Sequence, residues 1–255
     1  KGVVPKYYFI SGSGNKNSFS KSNLSKISNS LNEEQKKFNI YLGGGDTVFS
    51  KKLSFTITSI GFSNEIVYRN KSKINDDIYV TGNIGDSFLG LLVLKNKIKL
   101  KKSLTNYFIN QYYKPEIKYS LVNKLKKFAN SSIDISDGLL ADLDKLTNKQ
   151  KLSYKIFLEK VPISKNLLNV LKIKKLLKKN YISNGDDYQI LFTAPESKRF
   201  LIQNISKLAK QRITRIGKIL KNNEKLPLVV HNNAPILIKK KGYFHKFWKV
   251  KYCVL

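Results

Sequence analysis

The feature that most constrains the fold is a repeated switch between two hydrophobic periods. Leu53–Gly61, Ile78–Thr81 and Tyr188–Thr193 are strand-length runs rich in β-branched and aromatic residues, whereas Leu24, Ile27 and Leu31 recur at the three- and four-residue spacing of a helix face. Further strands are predicted over Tyr7–Ile10, Asn39–Leu42, Ser132–Ile135, Tyr154–Leu158, Thr214–Ile219 and Leu228–His231. Helices are predicted to start at Asp86, to flank Pro115, and to cover Leu139–Leu146 and Ser197–Ala209. Strands interleaved with helices specify an α/β protein, although one sequence does not order the strands within a sheet. The polar, turn-like stretch Glu65–Asn75 reads as a boundary, with one domain over residues 1–70 and a second over 71–255.

The 255 residues, 41% hydrophobic, are enough for one large domain or two ordinary ones. No apolar run reaches the roughly 20 residues of a membrane span, and the opening KGVVPKYYFISGSG lacks the apolar core of a signal peptide, which points to the cytoplasm and away from membranes. The single cysteine, Cys253, cannot form an internal disulfide. A net charge of +31 invites a nucleic-acid reading, but only four of the 48 basic residues are Arg, and the Lys are spread along the whole chain. That distribution reads as a residue bias on a solvated surface, so no nucleic-acid partner is expected.

Against so many cations, the few carboxylates stand out by position. They cluster at Gly45-Asp46-Thr47, Asp134-Ile135-Ser136-Asp137-Gly138, Gly185-Asp186-Asp187-Tyr188 and Gly85-Asp86-Ser87, several of them where a predicted strand gives way to a loop. Hard oxygen ligands of this kind suit Mg²⁺, which takes one or two carboxylates and completes its shell with water and phosphate oxygens. Each cluster also has a plainer reading. Asp137 or Ser136 would cap the helix that follows, Gly43-Gly44-Gly45 would form a turn, and Asp86 would belong to a helix N-terminus. Two adjacent carboxylates, Asp186 and Asp187, need a donor or cation on one of them. The chain has no GxxxxGK[ST] loop and no kinase glycine loop with a catalytic HRD, and its only histidines are His231 and His245.

Taken together and in order, these motifs resemble the thiamine-monophosphate kinase family. YLGGGDTVFSKKLSFTITSIGF, VYRNKSKINDDIYVTGNIGDSFLGLLVL, SSIDISDGLLADLDKL, ISNGDDYQILFTAPE, ITRIGKI and KGYFHKF each look like a family segment, over nearly the whole chain. The resemblance implies the two-domain α/β (α+β) fold of the aminoimidazole ribonucleotide synthetase superfamily, an N-terminal sheet domain followed by a larger α/β domain, with ATP in a cleft and a homodimer joined through its N-terminal domains. It also implies ATP-dependent, Mg²⁺-dependent phosphorylation of thiamine monophosphate by direct in-line transfer. Several Mg²⁺ ions would be held by Asp46, Asp134 and Asp137, with Gly45, Asp46, Arg69 and Ser136 on ATP and Asp186 and Tyr243 on thiamine monophosphate. No catalytic residue is implied beyond these positioning groups.

Three departures accompany the resemblance. Val48, Phe49 and Ser50 follow the GGDT motif where the family carries an Arg, leaving Lys51 or Lys52 as the nearest cations. Asp186 replaces the family's glutamate and is one methylene shorter. The chain also begins beyond three N-terminal aspartate motifs of the family, so the N-terminal domain is expected to be incomplete and this chain alone impaired. Another ATP-using reaction of the same superfamily, or an inactive remnant, are the competing expectations.

Overall fold

The computed structural model describes residues 2–148, 150–222, 228–239 and 241–243. The described chain forms two compact units, Gly2–Ile66 and a second beginning at Val67.

The first unit holds strand β1 (Val4–Gly14), helix α1 (Lys21–Phe38), β2 (Tyr41–Phe49) and β3 (Ser54–Phe62). The sheet order is β2-β1-β3, with β2 parallel and β3 antiparallel to the central β1. Helix α1 starts on Ser20, whose side chain accepts from the Asn23 amide, and stops at Asn39, which takes the left-handed conformation at φ 52°. The glycine cluster is not the turn that its composition suggests. Gly43, Gly44 and Gly45 lie inside β2, and the register skips a residue as Phe9 pairs with Gly44 directly after Tyr8 pairs with Leu42. A Cβ on Gly43 would lie 2.8 Å from the Phe9 ring, and one on Gly45 would meet the Ile10 carbonyl group, so glycine is what lets β2 approach β1 there. Asp46 is consequently a mid-strand residue paired with Ser11, not a loop-tip residue.

The second unit is built on β4 (Asp77–Thr81), β5 (Ser131–Asp134), β6 (Leu152–Phe157), β7 (Ile190–Ala194), β8 (Ile213–Lys221), β9 (Leu228–His231) and β10 (Ala234–Pro235). They form one sheet in the order β10-β9-β6-β8-β4-β7-β5, antiparallel except for the β6–β9 pair. Around it lie α2 (Asp86–Leu94), α3 (Lys102–Tyr113), α4 (Val122–Leu125), α5 (Leu139–Leu146), α6 (Lys165–Ile173), α7 (Lys179–Ile182) and α8 (Arg199–Leu208).

Both faces of the central strands are covered, which is why β4 and β7 read as continuous apolar runs. Side chains alternate across a strand. Ile78 and Val80 therefore join the α5 residues Leu139, Leu143 and Leu146 in one core, while Tyr79 joins Phe192, Leu125, Ile202 and Ile205 in a second. A third cluster packs Leu89 of α2, Phe108 of α3 and Leu167, Val170 and Leu171 of α6. Helix α6 was legible but went unread: Ser164 caps it by accepting from the Leu167 amide at 3.0 Å, and its buried residues follow at helical spacing.

At the start of β4, Asp77 is buried and takes Arg199 Nε at 2.6 Å and Nη2 at 3.0 Å, with Arg215 Nη1 at 3.4 Å. The arginines are part-exposed and gain water when the pair is lost. Asp77→Ala is therefore expected to destabilise the protein by about 2 kcal/mol, read from urea midpoints. A change below a few tenths would show that solvent screening cancels the pair.

Candidate functional site

The site is built where two loops leave the β7–β5 edge of the large sheet. Strand β5 ends at Asp134, one residue earlier than expected, but backbone bonding to the facing loop continues. Ile135 N donates to Gln189 O at 2.9 Å, Tyr188 N to Ile135 O at 2.8 Å, and Asp186 N to Ser136 O at 3.0 Å. The DISDG and GDDY motifs, about fifty residues apart, are thus joined residue against residue. The closeness depends on Gly185, where an added Cβ would collide with the Ser136 carbonyl oxygen and lie 2.6 Å from its carbon. Asp186 and Tyr188 adopt left-handed backbone at φ 69° and 50°, an uncommon conformation for side chains of this kind.

The three sequence-predicted site carboxylates of this unit, Asp134, Asp137 and Asp186, share one electrostatic neighbourhood. Burial raises the Asp186 carboxyl above its ordinary range, the Asp137 charge raises it further, and Lys95 opposes both. Tyr188 is likewise raised, first by burial and then by Asp186, Asp134, Tyr112 and Asp137, so its ring looks onto the same group of charges. Ser136 lies in the loop, half-buried, between Asp134 and Asp137.

Neither Ser136 nor Asp137 caps α5. The cap comes from inside the helix: buried Asp142 accepts from the Ser136, Asp137 and Gly138 amides at 2.9, 2.9 and 3.1 Å. Its other oxygen takes Lys145 Nζ at 2.8 Å, and the same ammonium also pairs with Asp137. With the loop amides satisfied by Asp142, the Asp137 side chain is left directed to a cation. Sequence reading passed over Asp142 because its partners precede it by four to six residues, outside the usual cap spacing.

The second acid of GDDY has a structural task. Asp187 is buried and takes the Gly85 amide at 2.8 Å and the Ser87 amide at 3.4 Å, capping α2 from another part of the chain. Asp86 does begin α2, but its carboxylate ties the helix to its surroundings, accepting from Ser164 Oγ at 2.7 Å and Tyr107 Oη at 2.9 Å. Burial pushes the Asp187 carboxyl well above its usual range, against the Gly85 donor, and burial raises Asp86 as well. A folded-state pKa above the unfolded one means that the native state binds the extra proton. Stability is therefore expected to fall as pH rises from the ordinary carboxylate range toward the raised values. Asp187→Asn, which keeps one of the two acceptor oxygens and removes the charge, should flatten that slope in denaturant midpoints measured across pH, and an unchanged slope would rule Asp187 out as its source.

Among the described residues no three Asp, Glu, His or Cys side chains converge as a ready-made metal cage. The residues nonetheless fit Mg²⁺, which needs few protein ligands. Asp134 at the end of β5 and Asp137 in the loop that follows supply oxygens of the right hardness, and the Lys145 ammonium already marks Asp137 as a place for positive charge.

A cavity of about 530 Å³ opens beside this loop pair, lined by Phe88, Leu92, Tyr181, Asn184 and Leu237 and by Lys179. Tyr243 is half-exposed, and its amide donates to Asp137 O at 2.8 Å. Arg69 is exposed and has no ion-pair partner among the described residues. In the first unit Asp46 is exposed, with one oxygen on its neighbour's Thr47 amide at 2.7 Å, Gly45 is exposed beside it, and Lys51 and Lys52 are exposed in the turn that follows. The remainder of the aromatic segment, Phe244 to Phe247, lies outside the described residues.

No family model matches the chain. Among curated proteins, it is 36% identical over 226 residues to the thiamine-monophosphate kinase of Buchnera aphidicola subsp. Acyrthosiphon pisum, covering 87% of this chain and 69% of that relative. The chain belongs to the thiamine-monophosphate kinase family. Family members from Haemophilus influenzae and Escherichia coli strain K12 are 33% and 31% identical, over 89% and 87% of this chain and 70% and 68% of theirs. Solved structures show the same fold. The thiamine monophosphate kinase of Aquifex aeolicus superposes with a TM-score of 0.77 at 24% identity, over 92% of this chain and 76% of that one. AaThiL, solved complexed with AMPPCP and TMP, gives 0.80 at 24% identity, over 95% and 75%. Hydrogenase maturation protein HypE gives 0.73 at 16% identity, over 94% and 77%. The two sheets of three and seven strands described above are this chain's form of that shared fold. No described helix is long and apolar enough to cross a membrane.

Proposed function

We propose that this chain phosphorylates thiamine monophosphate to thiamine diphosphate at the expense of ATP. The observation that carries this reading is the backbone pairing of DISDG with GDDY, which sets Asp137 and Asp186 side by side at one sheet edge. Membership of the family and the ligands of AaThiL, AMPPCP and TMP, support the choice of substrates.

In this reading Asp134 and Asp137 hold Mg²⁺ on the large unit, Ser136 and Arg69 contact ATP, and Asp186 and Tyr243 hold thiamine monophosphate. Asp46 and Gly45 are assigned to Mg²⁺ and ATP from their motif. Magnesium held by Asp134 and Asp137 would supply positive charge that offsets the repulsion between the two anionic reactants. An oxygen of the substrate phosphate attacks the γ-phosphorus in line as the bond to ADP breaks. That oxygen is already anionic, so no side chain need remove a proton, and the residues serve to position and to screen. The apolar cavity lined by Phe88, Leu92, Tyr181 and Leu237 beside Asn184 is suited to the substrate's rings, with Lys179 at its wall as a partner for the phosphate. The exposed Tyr7, Phe9, Phe55 and Ile57 of the small sheet support the homodimer reading, and sedimentation as a monomer at micromolar concentration would remove it.

The test is conversion of thiamine monophosphate with ATP and Mg²⁺, followed by chromatography of the products, run on the purified chain, whose turnover is expected to be impaired, and on a version carrying the family's N-terminal aspartate motifs. Formation of thiamine diphosphate and ADP in equal amounts, abolished by a chelator, is the expected result. ADP formation without thiamine diphosphate would point to another ATP-using reaction on the same fold.

A further inference from the structure

Asp142 takes the amides of the loop before α5 and none from the helix's own first turn. The Ala141 amide gives its hydrogen bond to Lys241 O at 3.1 Å, a hundred residues downstream. Two residues later the Tyr243 amide donates to Asp137 O at 2.8 Å. Lys241 Nζ adds a third link, to Asp144 Oδ2 at 2.9 Å on the same helix. Between them Gly242 is buried so closely that an added Cβ would lie 2.7 Å from Asp137 O and collide with the Ala141 side chain. Lys241 and Tyr243 therefore tie Asp137 to the N-terminal half of α5, with no side chain on Gly242 where the segment crosses them.

From this geometry we infer that Lys241–Tyr243 is a positioning clamp which couples the thiamine-monophosphate site to the cation site at Asp137. The inference rests on the roles proposed above for Asp137 and Tyr243. Asp137 is fixed at its amide by Asp142, at its carbonyl by Tyr243, and at its carboxylate by a cation. The Tyr243 residue that orders the carbonyl is the one whose ring contacts substrate in this reading. Substrate that immobilises Tyr243 thereby immobilises Asp137, and the coupling is reciprocal because it is a single free energy shared by two ligands.

The experiment uses Mn²⁺ alone as a probe, titrated by electron paramagnetic resonance into the full chain without ATP, with and without thiamine monophosphate. Amide hydrogen exchange is followed in parallel without ligands. In the wild type, thiamine monophosphate is expected to tighten Mn²⁺ binding by about fivefold or more, the lower range of site-to-site coupling. In Gly242→Val that gain should vanish and the Ala141 amide should exchange faster. Gly242→Ala, whose smaller side chain still meets Ala141 and Asp137 O, replaces Gly242→Val if that variant does not fold. Unchanged Ala141 exchange in the variant would overturn the clamp whether or not the protein is a kinase. Lost protection with the substrate-dependent gain intact would show a clamp that positions nothing, and would equally overturn the proposal. Absence of Mn²⁺ binding to the wild type would overturn the metal reading of Asp137 and the coupling with it.

Discussion

Asp137→Asn is expected to lower turnover by about a hundredfold or more while changing stability by less than about 1 kcal/mol. The separation follows from how the residue is held. Its amide is bound by Asp142 and its carbonyl by Tyr243, and neither bond involves the side chain that the substitution alters. What is lost is one negative charge, whose present partner is the part-exposed Lys145. A surface pair of that kind contributes little to folding, whereas a cation ligand lost at a phosphoryl-transfer site weakens an interaction that is strongest in the transition state. Asp142→Asn is the informative contrast. It weakens three backbone contacts at a buried position and should cost about 2–3 kcal/mol of stability. The measurements are steady-state turnover and urea unfolding on each variant. Full turnover in Asp137→Asn would remove Asp137 from the cation site, and equal destabilisation by both variants would make its role structural.

The second large effect is expected at Gly185→Ala. The added methyl would meet Ser136 O, lie 2.6 Å from Ser136 C and 2.9 Å from Asp137 Cα, all backbone atoms with no rotamer to escape into. Relief requires the two loops to part, which breaks the Asp186 N to Ser136 O bond and separates Asp186 from Asp137. Overpacking of this kind costs on the order of 1–3 kcal/mol, and a displacement of about 1 Å at a reacting centre can cost about a hundredfold in rate. Gly12→Ala provides the control. Its Cβ would touch only the Phe55 and Phe19 rings, at 3.2 and 3.3 Å, and rings can shift. Unaltered turnover and unfolding midpoint in Gly185→Ala would mean that the loop pairing is looser than the geometry shows.

The recognition motifs were legible because each is local. The α/β class followed from alternating periods, helix α5 from Leu139 to Leu146 has the bounds its pattern predicts, and β9 likewise runs from Leu228 to His231. The family resemblance rested on short segments read in order, and the identity to curated relatives bears it out. Where local cues competed, composition misled. Gly43-Gly44-Gly45 carries the residues of a turn, yet its backbone is needed to pass the Phe9 ring inside a strand. Ser136 and Asp137 have the chemistry of caps, yet a carboxylate one turn into the helix had already taken the amides.

Most strands and helices, and the carboxylates spaced for chemistry, are readable in a few neighbouring residues, because periodicity and cap chemistry act over that range. Which acid does what depends on contacts far apart in the chain. Asp186 and Asp187 are adjacent and alike in sequence, but one faces Asp137 and the other is buried on the amides of α2. That division, like the grip of Lys241 and Tyr243 on the Asp137 loop, is made by hydrogen bonds between residues about a hundred positions apart. No local pattern encodes such partners, since the donors are backbone amides that every residue shares.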